Sequence, residues 1–210
     1  MKPEIDYTLY LVTDREQMSS PTLEEAVESA IRGGCTLVQL REKDISSLEF
    51  YNTAKRVKFI TDRYGVPLII NDRADIALAV NAAGVHVGQE DLPAGVLRQM
   101  LGENKIIGVS TSNISEALEA ERAGADYLGV GAMFATDTKT NANLSSVEDL
   151  REIVTCVGLP VVVIGGINKD TVPLFADTGI DGLAVVSAIL AHQDIEGAAK
   201  DLKSLFLAGK

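Results

Sequence analysis

Short apolar runs alternate along the chain with longer segments of spaced apolar residues, eight of each. The apolar runs predict strands at residues 8–12, 37–40, 67–70, 84–87, 106–109, 127–130, 160–164 and 182–186. The longer segments predict helices at residues 22–32, 48–64, 76–81, 93–101, 115–123, 147–157, 171–178 and 195–207. Near-continuous apolar strands are covered on both faces, as in a parallel sheet. Because an open sheet rarely holds eight regular βα units, the pattern favours an α/β fold, a closed (β/α)8 TIM barrel that forms one domain over residues 1–210.

The charge balance argues against one class of partner. The net charge is −11 at pH 7, which argues against a nucleic-acid-binding surface, because such a surface is basic. No apolar run reaches the roughly 18 residues of a membrane span, and the acidic first residues do not resemble a signal peptide.

Cys35 and Cys156 lie far apart and are predicted to be buried free thiols in a reducing compartment. We therefore expect a cytoplasmic protein without nucleic-acid or membrane partners; a homo-oligomer is compatible with the sequence.

In barrels of this kind the chemistry takes place at the C-terminal ends of the strands, whereas the opposite end serves stability. The second predicted strand ends in Gln39, Leu40, Arg41, Glu42 and Lys43, which place an amide, two cations and a carboxylate at one strand end. Two fixed cations suit a polyanion, although arginine and lysine at strand ends are often only solvated. By the same rule Asp126 and Asp181, which precede strands, are predicted to be turn residues at the opposite end.

A second anion site is predicted after the last two strands. Gly165 and Gly166 allow backbone N–H groups to approach an anion, and Val186, Ser187 and Ala188 begin a short helix whose amides favour negative charge. The alternative is that the two glycines only form a tight turn. Within a barrel, the phosphate interpretation is favoured.

Asp72 and Asp91 follow adjacent predicted strands and are candidates for a metal site. Mg²⁺ commonly takes one or two carboxylates together with phosphate oxygens and water. Without a metal, two close carboxylates would form an acid–base pair, and both could instead be solvated or cap helices. Arg41 and Lys43 nearby favour Mg²⁺ with a diphosphate.

The connection from residue 131 to residue 145 is long and polar, which is typical of a lid. It carries Lys139, for which contact with phosphate fits better than a Schiff base, since a polar loop does not desolvate the amine. His86, inside a predicted strand, is interpreted as a satisfied core group, and His192 as a surface residue. A Ser-His-Asp hydrolase and a zinc site are both poorly supported.

Together these motifs resemble the thiamine phosphate synthase family over nearly the whole chain. The matching segments are residues 39–43, 71–72, 84–93, 108–110, 136–139, 165–167 and 186–189, in the family's order. The combination is specific although each part is not. Where many members of the family carry Gly-Pro, this chain has Gly131 and Ala132.

The resemblance implies a Mg²⁺-dependent transferase that joins a hydroxymethylpyrimidine diphosphate to a thiazole phosphate and releases diphosphate. It implies that the pyrimidine diphosphate is held by Gln39, Arg41, Lys43 and Asn71, with Ser110 and Lys139 contacting the same substrate. Arg41, Lys43, Ser110 and Lys139 are the residues to which it assigns catalysis. It assigns Mg²⁺ to Asp72 and Asp91, and the thiazole phosphate to Thr136, Thr138, Gly166, Val186 and Ser187.

Three other functions are compatible with such a barrel. A thiazole tautomerase relative would lack the cluster of Arg41, Lys43, Asp72 and Asp91. A generic phosphate-binding isomerase or aldolase needs a lysine or glutamate base at a strand end, and the sixth predicted strand ends in Gly-Val-Gly. A non-catalytic sensor of phosphate ligands would be indicated by loss of a metal carboxylate or of the loop lysine, and both are present.

Overall fold

The computed structural model describes residues 2–135 and 144–210. Eight parallel strands close into one barrel in sequence order, with β1 hydrogen-bonded to both β2 and β8. The strands are β1 (Leu9–Val12), β2 (Leu37–Leu40), β3 (Leu68–Asn71), β4 (Gly84–Val87), β5 (Ile106–Thr111), β6 (Tyr127–Val130), β7 (Val161–Val163) and β8 (Gly182–Val185). The predicted (β/α)8 barrel is confirmed, and each predicted strand lies within one or two residues of an observed strand at both ends.

The helices surround the barrel. They are α1 (Leu23–Arg32), α2 (Ser47–Tyr64), α3 (Ala74–Ala79), α4 (Ala94–Leu101), α5 (Ile114–Arg122), α6 (Val147–Cys156), α7 (Ser187–Leu190) and α8 (Ile195–Ala208). Side chains before the helices explain where several of them begin. Thr22 accepts a hydrogen bond from the Glu25 amide at 3.2 Å, and Ser46 accepts one from the Glu49 amide at 3.1 Å, so each caps the first turn that follows it.

One predicted helix was wrong in type. The segment at residues 171–178 contains a 3₁₀ helix at Val172–Phe175 instead of an α-helix. The helical backbone stops after Phe175, because Ala176 has a non-helical ψ of 140° and Asp177 has a positive φ of 60°. A second 3₁₀ turn, Arg15–Gln17, was not predicted.

Two apolar layers hold the fold together. The larger layer lies between the strands and the helices, and the smaller one fills the inside of the barrel. The inner layer consists of Tyr7, Tyr10, Val12, Leu37, Ile69, Ile106, Tyr127, Val162 and Ala184. Since three of these residues are tyrosines, the inside of the barrel carries hydroxyl groups that must find hydrogen-bond partners.

The two cysteines differ in their environment. Cys35 is buried, and burial raises the pKa of its thiol to about 12. Cys156 is exposed, so the prediction that both thiols are buried was wrong for this residue. The buried residues of α6 are Leu150 and Ile153, and Cys156 is the last residue of this helix.

The peptide bond between Gly131 and Ala132 is cis.

Among the helices of the described residues, none combines the length and the apolar character that crossing a membrane requires.

Candidate active site

A cavity of about 660 Å³ opens at the C-terminal ends of the strands. All of the predicted site residues within the described ranges line it: Gln39, Arg41, Lys43, Asn71, Asp72, Asp91, Ser110, Gly166, Val186 and Ser187. Thr136, Thr138 and Lys139 lie outside the described residues, as does most of the predicted lid. The barrel therefore brings side chains from β2, β3, β4 and β5 to the same space as the glycine turn after β7.

The guanidinium of Arg41 is held by residues that follow β1. Its Nη1 lies 3.0 Å from Asp14 Oδ2, and its backbone N–H donates to Thr13 Oγ1 at 2.9 Å. The next residue in each loop forms a second pair, in which Arg15 Nε lies 2.8 Å from Glu42 Oε2. Side-chain exposure is only 23% for Arg41 and 12% for Asp14, so this cation is oriented before any ligand arrives.

We expect replacement of Asp14 by alanine to weaken binding of a polyanionic ligand by about tenfold, because the net contribution of a charge-assisted hydrogen bond is about 1.5–3 kcal/mol. Removing a negative charge would by itself strengthen the binding of an anion. The expected loss of affinity therefore comes from disorder of the Arg41 side chain. Inorganic diphosphate binding measured by calorimetry tests this. Asp170→Ala, an exposed change of the same charge, serves as the control, and tighter diphosphate binding by Asp14→Ala would contradict the expectation.

One side of the cavity carries two carboxylates, Asp72 and Asp91, with the cation Lys43 beside them. Lys43 Nζ lies 3.3 Å from Asp72 Oδ2, and Asp91 Oδ2 accepts a hydrogen bond from the Gly88 amide at 2.7 Å. Burial raises the pKa of Asp72, and the nearby Asp91 carboxylate raises it further, whereas Lys43 acts in the opposite direction. Asp72 also has a positive φ of 61°, a conformation that aspartate tolerates better than most residues.

This arrangement fits a divalent cation. Two carboxylates close enough to raise the pKa of one of them gain stability from a shared positive charge. Within the described residues no group of three or more histidine, cysteine, aspartate or glutamate side chains gathers at one point. A cation here would therefore need oxygens from a ligand or from water, which is how Mg²⁺ is commonly bound.

The glycine turn after β7 forms the opposite side of the cavity. Gly165 and Gly166 have positive φ angles of 94° and 69°. The Gly166 carbonyl accepts hydrogen bonds from Thr171 Oγ1 at 3.1 Å and from Asn168 Nδ2 at 3.2 Å, which fix the turn. A second cavity of about 530 Å³ adjoins it and also contacts Gly166 and Ser187. Backbone amides at this position could bind a phosphate without an intervening side chain.

The floor of the cavity contains residues to which the sequence assigned no role in binding. Tyr10 and His86 line the cavity, and both are buried. His86 is hydrogen-bonded through both ring nitrogens, to Tyr127 Oη at 2.8 Å and to Ser110 Oγ at 2.9 Å, so it is a satisfied core group that also faces the site. His192 is exposed, as predicted. Side chains along a strand point alternately into and out of the barrel. Tyr10 and His86 occupy inward positions, as do predicted site residues on the neighbouring strands, so this alternation could have indicated both.

Comparison with known proteins identifies the relatives of this barrel. A family model described as thiamine monophosphate synthase matches residues 9–189. A thiamine-phosphate synthase of Clostridium beijerinckii is 66% identical over 207 residues, which cover 99% of each chain. One of Ruminiclostridium cellulolyticum is 60% identical over 207 residues, again covering 99% of each.

A solved structure agrees with these sequence relatives. The thiamine phosphate pyrophosphorylase of Pyrococcus furiosus superposes with a TM-score of 0.90 at 41% identity and covers 97% of each chain. The chain therefore belongs to the thiamine monophosphate synthase family.

Proposed function

We infer that this chain is a thiamine-phosphate synthase, a transferase that joins a hydroxymethylpyrimidine diphosphate to a thiazole phosphate. The observation that carries the inference is the placement of Arg41, Lys43, Asp72 and Asp91 on three successive strand ends around one cavity. This set suits a diphosphate with a divalent cation. The names of the relatives at 66% and 60% identity agree with that chemistry.

The reaction needs no protein nucleophile. The bond between the pyrimidine methylene carbon and the diphosphate oxygen breaks, and its electron pair leaves with diphosphate. The methylene cation is stabilised by the aminopyrimidine ring, and the lone pair of the thiazole nitrogen then forms the new C–N bond. The site must neutralise the leaving group and hold the two substrates in line.

Residues at the ends of β2 and β3 bind the diphosphate in this scheme. Arg41, oriented by Asp14, and Lys43, on the exposed rim, contact its oxygens, and Asn71 donates from its amide. Mg²⁺ held by Asp72 and Asp91 would supply further positive charge to the departing group. Gln39 and Ser110 lie deeper and contact the pyrimidine ring.

The thiazole phosphate binds at the other side of the cavity. Backbone N–H groups near Gly166 and Ser187 donate hydrogen bonds to the phosphate, and Val186 lies against the thiazole ring. The roles of Thr136, Thr138 and Lys139, which lie outside the described residues, stay those that the family resemblance gives them. The two threonines bind this phosphate, and the lysine binds the diphosphate.

With Cys35 and Cys156 both free, the chain suits a reducing cytoplasm.

Replacing Asp72 with asparagine should raise the Mg²⁺ concentration needed for half-maximal activity by more than about tenfold, because one carboxylate ligand is lost. Asparagine tolerates the positive φ of 61° at this position, so the fold should be retained. Titration of initial rate against Mg²⁺ provides the measurement. Asp75→Asn, at an exposed carboxylate on α3 outside the cavity, is the control. An unchanged Mg²⁺ requirement would remove Asp72 from the metal site.

The same variant should not lower the melting temperature of the metal-free protein at neutral pH. Because the pKa of Asp72 is raised in the folded state, the native protein binds more protons than the unfolded chain just above the ordinary aspartate range. Stability therefore falls as the pH rises through that window, and the ionised carboxylate is unfavourable at pH 7. A neutral amide removes this effect, and calorimetric melting of both proteins without metal measures it. A clearly lower melting temperature for Asp72→Asn would contradict the expectation.

A thiazole tautomerase is not favoured. It would perform proton transfers on one substrate and would not use the cations and carboxylates that line this rim. The decisive assay combines purified protein, both substrates and Mg²⁺, and measures thiamine phosphate. Absence of this product with saturating substrates and a folded protein would contradict the proposed function.

A further inference from the structure

A continuous chain of hydrogen bonds crosses the floor of the barrel. Gln39 Nε2 donates to Tyr10 Oη at 2.7 Å, and Tyr10 Oη lies 2.7 Å from Tyr127 Oη. Tyr127 Oη lies 2.8 Å from His86 Nδ1, and His86 Nε2 lies 2.9 Å from Ser110 Oγ. The two ends, Gln39 and Ser110, line the cavity, whereas Tyr127 lies behind it. We name the middle members, Tyr10, Tyr127 and His86, the relay.

The relay depends on a glycine in β5, the strand between those that carry His86 and Tyr127. In the register of the barrel, Gly108 of β5 lies beside both His86 of β4 and Tyr127 of β6. A Cβ atom at Gly108 would lie 2.1 Å from Tyr127 Cζ and 2.4 Å from its Oη. Any side chain at this position would therefore occupy the place where the tyrosine hydroxyl reaches the imidazole.

The direction of each hydrogen bond follows from counting protons. Each tyrosine hydroxyl has one proton, because burial raises the pKa of Tyr10 and of Tyr127 far above neutrality. Tyr10 accepts from Gln39 and so donates to Tyr127; Tyr127 in turn donates to His86 Nδ1. A neutral imidazole that accepts at Nδ1 carries its proton on Nε2 and donates it to Ser110 Oγ. The Ser110 hydroxyl proton is then directed to the cavity, while Gln39 keeps its carbonyl Oε1 as an acceptor.

We propose that the relay of Tyr10, Tyr127 and His86 is a specificity-determining element, which fixes Ser110 as a hydrogen-bond donor and Gln39 as an acceptor toward the pyrimidine ring. This rests on the proposed function. A ring edge that carries an acceptor nitrogen beside an exocyclic amine matches that pair, and a ring with two donors or two acceptors leaves one buried polar group unpaired. The three relay residues are positioning residues, since they act through Gln39 and Ser110.

The first test is spectroscopic and does not depend on activity. The chain has two histidines, so ¹⁵N spectra of the imidazoles contain few signals, and His192→Gln assigns them. In the ligand-free protein we expect His86 to be protonated at Nε2 and bare at Nδ1. Tyr10→Phe removes one hydroxyl that does not contact His86, and it should move the two ¹⁵N resonances toward each other as both tautomers become populated.

Tyr7→Phe is the matched control. Tyr7 packs on the Tyr127 ring with centroids 4.9 Å apart, so its loss of a hydroxyl changes a neighbouring aromatic residue outside the relay. Its spectrum should match that of the parent. Protonation at Nδ1 in the parent protein, or unchanged His86 resonances in Tyr10→Phe, would overturn the proposal.

The second test is kinetic. Tyr10→Phe and Tyr127→Phe should each raise the KM for the pyrimidine diphosphate about five- to tenfold, with the KM for thiazole phosphate unchanged and Tyr7→Phe like the parent. Equal changes in both KM values would indicate a general packing defect and contradict the role in recognition. If the parent makes no thiamine phosphate, the proposed function fails, and the His86 tautomer still decides whether the relay is directional. If Tyr10→Phe fails to fold, the tautomer of His86 in the parent protein and the kinetics of Tyr127→Phe still test the proposal.

Discussion

Replacement of Arg41 by alanine should lower kcat/KM for the pyrimidine diphosphate by about 100- to 1,000-fold, the usual cost of losing one preoriented charge contact in a site of this kind. The physical reason is that Asp14 and Thr13 hold Arg41 in place. In the proposed reaction its charge would therefore act on the departing diphosphate without a further loss of side-chain freedom. Arg41→Lys should recover only part of the activity, because lysine keeps the charge and loses the planar fork.

Steady-state kinetics with each substrate varied in turn measures this effect. Arg151→Ala, on the exposed face of α6, changes the net charge by the same amount and should behave as the parent. An Arg41→Ala enzyme within about threefold of the parent would exclude Arg41 from the diphosphate site. Comparable losses in both arginine variants would instead reveal a long-range effect of charge.

The second large effect is expected at Gly166. A valine there must adopt a φ of +69°, and its Cβ would lie 2.6 Å from Phe134 Cβ. The Cβ also blocks the approach of a phosphate to the backbone amides. We expect the KM for thiazole phosphate to rise by about 100-fold, with a smaller change for the pyrimidine diphosphate, since a close anion contact is usually worth a few kcal/mol.

Gly65→Val separates the cost of the backbone from the loss of the phosphate site. Gly65 has a φ of +66°, nothing lies within 4 Å of a Cβ built there, and it ends α2 outside the cavity. Both valine variants should lose stability, by about 1–3 kcal/mol for the backbone alone. Only Gly166→Val should lose affinity for thiazole phosphate; equal effects on the two substrates would show misfolding instead. Gly166→Ala is the milder variant if valine prevents folding.

The sequence predicted the rim of the site well because rim residues are identified by their position after a strand. Arg41 and Asp72 could be singled out once the eight βα units were recognised, whereas the role of Ser110 came from the family resemblance. The closed barrel places all three around one cavity. The metal and substrate roles of these residues are still predictions. The fold shows only that these residues lie close together around the cavity.

Contacts between distant strands could not be predicted in the same way. The relay joins β1, β4 and β6 across the inside of the barrel, and it exists because Gly108 leaves space for Tyr127. A glycine in a strand gives no indication of which ring from another strand will use that space. Likewise, only the structure shows that Asp14, in the loop after β1, orients Arg41.

The paired loops after β1 and β2 have a consequence for recombination among barrels. Asp14 and Arg15 are negative then positive, whereas their partners Arg41 and Glu42 are positive then negative. A chimera that imports one loop with its charges in the reverse order would place like charges opposite each other at both positions. A graft from a barrel with the reversed charges would therefore have to carry the loops after β1 and β2 together to keep Arg41 oriented.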